Sequence, residues 1–111
     1  MNLRDLTWSK TEKNVARRAF EAAYEKECGA IIDKLKDMIA TASEPADIWR
    51  IHDYLSEQRK RTDRKYDYRY SMLILVFAQL LREGWLTVAD LQGLNADKIE
   101  AITRLANPDF E

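Results

Sequence analysis

One stretch of the chain concentrates the side chains able to do chemistry. Trp49 to Arg69 holds the only histidine, one of three tryptophans, three of five tyrosines and the densest cluster of arginine and lysine. His52 beside Asp53 has the make-up of a general acid or base. Catalysis needs more than that pair: a nucleophile with a placed base, a glycine-rich phosphate loop or a set of metal ligands. The sequence contains none of these. With one histidine and one cysteine, Cys28, it has neither a metal-ligand cluster nor an internal disulfide. The expectation is therefore a protein that is not an enzyme and takes no cofactor or metal.

The same residues fit a contact surface. At helical pitch Trp49, Asp53, Ser56 and Lys60 fall within about 40° of one another, and His52 and Arg59 lie together at the edge of that face. Tryptophan and arginine dominate binding hot spots. Ordinary helix packing for Trp49 and a core-edge imidazole for His52 are the plainer readings, and both stay open here. Arg59 is too far along the helix to reach Asp53 of its own chain easily; in an antiparallel pair of chains it can reach the Asp53 of a second copy. Arg59, Lys60, Arg61, Arg64, Lys65 and Arg69 put six cations within eleven residues, with Tyr66, Tyr68 and Tyr70 adjoining. Cations interleaved with aromatics suit single-stranded nucleic acid. Glu57, Asp63 and Asp67 break the run, however, and the formal net charge is -1. A solvated or dimer-bridging helix face is the favoured reading, with no nucleic acid as partner.

These residues must be positioned by helices. The chain has 111 residues, one domain's worth, with 46% hydrophobic and 33% charged residues and only five glycines and prolines. No clean alternation of apolar and polar residues marks a strand. No apolar run approaches the ~20 residues that span a bilayer. The first ten residues lack the apolar core of a signal peptide, so a reducing cytoplasm is the expected location, without membrane insertion.

Ser9 and Glu12 have capping-box spacing, which predicts a helix start. From there Tyr24, Cys28, Ile31, Leu35 and Met38 repeat at spacings of four and three, the seam of a coiled coil. A helix continuing to about residue 41 is roughly 45–50 Å long, whereas a compact domain of this size has a radius of gyration of only about 13 Å. Its own chain cannot cover it. The expected solution is a homodimer through that seam, with further assembly left open; a helix broken at Gly29 and folded back is the alternative. Pro45 starts a second helix, capped by Ser43 or Glu44, with Ile48, Ile51 and Leu55 as its buried stripe. Ser71 to Leu81 is apolar nearly all round and predicts a buried helix stopped by Gly84. Thr87 with Asp90 caps a short helix ended by Gly93. Asn95 caps a last helix carrying Ile99, Ile102 and Leu105, and Pro108 ends the order. The fold expected is all-α: one domain over 1–111, an elongated helical stalk over 1–66 and a small helical head over 67–111.

Several segments go further. WRIHDYLS (49–56) followed by Arg59, KYDYRYS (65–71), VFAQLL (76–81) and EGWL (83–86) closely resemble the fluorescence recovery protein family. Trp8-Ser9, FEAAYE (20–25), LQGL (91–94) and Asp97-Lys98 resemble it too, so the likeness spans roughly residues 8 to 105. It implies an all-helical dimer and a non-enzymatic regulator. In cyanobacteria that family binds the photoactivated, red orange carotenoid protein, helps detach it from the phycobilisome and speeds its return to the orange state. The family's stalk patch falls on Trp49, His52, Asp53 and Arg59. Trp49 and Arg59 are then the partner-facing or interface-forming members, with His52 and Asp53 shaping the patch. The resemblance departs at Leu75 and Ala101, where the family's head carries an aromatic and a lysine. It also departs in the basic run Lys60 to Arg64 and in the tail Asn107 to Glu111. A homologue with the same scaffold and another signalling or metabolic partner is the alternative.

Overall fold

The computed structural model describes residues 6–107. Four helices and one 3₁₀ turn follow in order: α1 (Lys10–Ala40), α2 (Pro45–Lys65), α3 (Leu73–Glu83), the turn Val88–Leu91 and α4 (Ala96–Ala106).

The capping box at the start of α1 forms as its spacing predicts. The amide of Glu12 donates to Ser9 Oγ at 3.1 Å, and the Ser9 amide donates to Glu12 Oε1 at 3.0 Å. α1 then runs for 31 residues, straight through Gly29, for a length of about 46 Å. Its end is tied by the Thr41 hydroxyl, which donates to the carbonyls of Asp37 and Met38. At the start of α2, Glu44 is the N-cap residue, one of the two that the sequence offers, and it forms a capping box with Asp47. Asp47 supplies the cap, accepting the amides of Ser43 and Glu44 at 2.9 Å each. A carboxylate one turn inside the helix reaches both free amides at once.

α2 stops at Lys65, and residues 66–69 run on without regular structure before the turn into α3. Gly84 ends α3 with φ +84°, the left-handed stop that the sequence predicts. The Thr87 amide donates to Asp90 at 2.8 Å. At Gly93, φ is +110° and an added Cβ would sit 2.6 Å from a Val15 methyl, so backbone shape and close approach both require glycine. Asn95 precedes α4, but its side chain makes no cap; its amide donates instead to Glu12 Oε2 at 2.9 Å. The expected end at Pro108 lies outside the described residues.

Leu73, Ile74, Phe77 and Leu80 of α3 are fully buried against Leu86, Leu91 and Ile102. The first half of α1 belongs to the same core. Ala16, Ala19 and Ala23 are buried with them, as is Trp8. Alanines at spacings of three and four let α1 approach the 3₁₀ turn and α3 closely. Glu12 crosses that contact to the Lys98 ammonium at 2.9 Å, both side chains under 5% exposed.

The other half of the molecule has no such core. After Ala23 no residue of α1 is buried, and α2 buries only Thr62. Ile48 and Leu55, expected in a buried stripe, are exposed, and Ile51 is half-buried. Two helices side by side have one shared line of contact, and apolar residues off that line stay open without a third element. The result is elongated, 53 × 31 × 23 Å with a radius of gyration of 17.0 Å, well above the about 13 Å of a compact domain this size. No helix among the described residues is long and apolar enough to cross a membrane.

Candidate functional site

The candidate site grows out of α2. Trp49 lies one turn into the helix and is 63% exposed. The packing alternative therefore does not apply within this chain. One turn on, the His52 ring stands edge-on to the indole, centroids 6.4 Å apart at 75°. His52 Nδ1 lies 3.3 Å from Asp53 Oδ1. Aromatic, imidazole and carboxylate thus form a row, all exposed to solvent.

Arg59 is separate from that row. Its Nε donates to Asp63 Oδ2 at 2.9 Å, a same-helix pair one turn apart. The hydrogen bond that Arg59 donates to the Asp63 carboxylate, followed by that carboxylate's charge, raises the Arg59 pKa, so the guanidinium stays charged at any working pH. Arg59 also lines an open groove of about 590 Å³ between α1 and α2, together with Tyr24, Cys28, Ile31, Leu55 and Thr62. Three of the five expected seam residues face that groove. Leu35 and Met38 continue the stripe, half-buried, toward the end of α1.

A second cluster holds the stalk against the head, and sequence reasoning missed it. Lys65 Nζ sits 2.6 Å from both Glu27 of α1 and Glu83 of α3, with only 7% of its side chain exposed. The Tyr66 hydroxyl donates to Glu27 at 2.8 Å, and Gln79 and the Trp85 indole N–H donate to Glu83. Burial, and then the Glu27 carboxylate, push the Tyr66 hydroxyl far above its ordinary range. Glu83 is held below the usual carboxylate range because its donors outweigh its burial. Lys65 stands 38 residues from Glu27 and 18 from Glu83, so no local spacing announces the contact.

The junction tyrosines also have fixed places. Tyr66 packs edge-on against Phe20 and Tyr24, and Tyr68 edge-on against Phe20 at 4.8 Å, while Tyr70 lies tilted against Trp8 at 5.6 Å. Arg17 covers the Tyr68 ring at 3.8 Å. Residues 66 to 70 are thereby laid along the first half of α1. Among the described residues, no group of three histidine, cysteine or acidic side chains could hold a metal ion.

A family model described as the photoprotection regulator fluorescence recovery protein matches residues 8–106. The chain belongs to the fluorescence recovery protein family. The fluorescence recovery protein of Synechocystis sp. PCC 6803 is 38% identical over 99 residues, covering 89% of this chain and 91% of the relative. The solved fluorescence recovery protein of Fremyella diplosiphon is 46% identical, with a TM-score of 0.85 over 90% of this chain and 98% of that one. The solved Synechocystis protein is 38% identical, with the same TM-score over the same shares. The fluorescence recovery protein fold is thus the fold described above, a long N-terminal helix and a C-terminal helical pair. The chain is a non-enzymatic regulator of photoprotection.

Proposed function

We propose that this chain binds the photoactivated, red form of an orange carotenoid protein in the cytoplasm, accelerates its return to the orange form and helps detach it from the phycobilisome. Trp49, His52, Asp53 and Arg59 make the contact. The observation that carries this reading is Trp49 itself: a tryptophan with most of its surface in water, flanked by an imidazole and a carboxylate, on a helix that packs weakly against its own chain. Such a side chain is costly to leave open and profitable to cover.

The working unit is a homodimer. Tyr24, Cys28, Ile31, Leu35 and Met38 form its seam, and a second copy covers the apolar face that α1 and α2 leave exposed. Within each copy, residues 1–66 act as stalk and 67–111 as head of a single domain, the first half of α1 being packed into the head's core. Acceleration requires tighter binding to one state of the partner than to the other. Analytical gel filtration of the protein with illuminated and with dark-adapted orange carotenoid protein tests this directly. A complex with the red form and a weaker one, or none, with the orange form is expected. No complex with either form rejects the reading.

One observation favours a second reading. Leu75 is 43% exposed on the head and Ala101 lies on α4, the two positions where the resemblance implies an aromatic and a lysine. A homologue whose head serves a different signalling or metabolic protein fits that departure. Capture of such a partner by this protein, with no response from the carotenoid protein, would establish it.

A further inference from the structure

The basic run is only partly absorbed by the site described above. Arg59 is held by Asp63, Lys65 by Glu27 and Glu83, and Arg69 by Asp67. Elsewhere Arg50 and Arg104 have carboxylates, Arg17 has the Tyr68 ring and Arg82 has the carbonyls closing α4. Arg61 and Arg64, like Lys60 of the same run and Arg18 of α1, have no carboxylate within 4.0 Å among the described residues, and both are exposed. The two line one cleft of about 200 Å³ between the last turns of α2 and the side of α3, walled by Lys65, Gln79 and Glu83.

The chemistry of that cleft selects its ligand. Glu83 is the acid in its wall, and both oxygens are engaged: Oε1 accepts from Lys65 and Trp85, and Oε2 accepts from Gln79. It has little left to offer an incoming cation. The two guanidinium groups keep all their donors, and a guanidinium presents paired N–H groups that match a carboxylate. Nucleic acid is the other anionic class, and the tyrosines argue against it. Tyr66, Tyr68 and Tyr70 would be the stacking platform, yet all three are packed onto Phe20, Tyr24 and Trp8. A cleft of this volume takes one or two side chains, not a strand of bases.

We propose that the cleft between α2 and α3 docks an acidic segment of the protein partner, with Arg61 and Arg64 gripping its carboxylates. It rests on the reading of the chain as a protein-binding regulator and adds a second contact to it. Charges at such a rim act chiefly on the association rate and its salt dependence.

Two measurements test this. The first is a titration of the isotopically labelled dimer with hexaglutamate and with hexaglutamine peptides. Hexaglutamate should shift the side-chain resonances of Arg61, Arg64 and Gln79, hexaglutamine should not, and Arg61→Gln with Arg64→Gln should abolish the response. Absent shifts, shifts scattered over other cations, or a stronger response at the cleft to oligothymidylate would overturn the proposal. The second is the association rate with illuminated orange carotenoid protein at low salt. The double glutamine variant should lose about three- to tenfold and flatten the salt dependence, while Arg61→Lys with Arg64→Lys retains most of the rate. Equal rates and slopes for wild type and the glutamine variant would refute the second contact. If the wild type forms no complex with that protein, the proposed function fails, and the peptide titration still decides the cleft.

Discussion

Trp49 is the residue on which the functional reading turns. It is 63% exposed and touches His52, so removing it deletes no buried contact in this chain. A tryptophan at the centre of an interface is worth about 2 kcal/mol or more when truncated. Trp49→Ala should therefore weaken partner binding about thirtyfold or more and leave far-UV circular dichroism and thermal stability near wild type, within about 0.5 kcal/mol. Loss of helicity in that variant would mean Trp49 is structural. The row of Trp49, His52 and Asp53 was legible in the sequence because helical residues three and four apart must be neighbours. The partner of Arg59 was equally local, since Asp63 lies four residues on. Asp63 lies one helical turn from Arg59 on the same face, whereas Asp53, six residues back, does not.

At the scale of elements, α1 is tied to α4 by Glu12. That carboxylate caps its own helix, accepts the Asn95 amide and meets Lys98, all while 3% exposed. Burial pushes its pKa up, but the amides of Asn95 and Ser9 and the Lys98 ammonium outweigh burial and bring it from 4.5 to about 2. A carboxyl group whose folded pKa is depressed stabilises the fold above its unfolded pKa. That contribution, about 3 kcal/mol, should fade as pH falls from about 4.5 toward 2. Urea unfolding of wild type and Glu12→Gln checks this: a wide gap in midpoint at pH 7 that narrows at pH 3. A gap independent of pH would contradict it. The cap was readable from Ser9 and Glu12, three residues apart. The tie was not, because Lys98 lies 86 residues away and exposed and buried lysines look alike in a sequence. The same distance blindness hid Lys65 between Glu27 and Glu83. The elements themselves were far more legible: Gly84 and Gly93 stop helices where positive φ demands glycine, and the run from Leu73 to Leu81 is apolar enough to be buried on most sides, with Leu75 and Gln79 on its open side.

Taken whole, the molecule joins a closed core at one end to an open pair of helices at the other. The open pair buries one residue beyond Ala23 on the stalk, Thr62, and leaves Ile32, Ile39, Ile48 and Leu55 in water. The length of α1 made this shortfall foreseeable, because a helix of about 46 Å outruns any core that 111 residues can build around it. The surprise was that Ile48 and Leu55 share it, since sequence periodicity marks an apolar face without saying which element covers that face. If a second copy covers it, Leu35→Glu places a charge in the seam. Sedimentation should then show a monomer, or unfolding, at concentrations where wild type is a dimer. A dimer of unchanged affinity would remove the seam from the account.

The central claim is that this molecule shifts a carotenoid protein from red to orange. It is tested most directly by illuminating orange carotenoid protein, turning off the light and following the red-to-orange decay with and without this chain. The account predicts faster decay with the chain present, and a much smaller acceleration with Trp49→Ala. An unchanged decay at excess protein would contradict it.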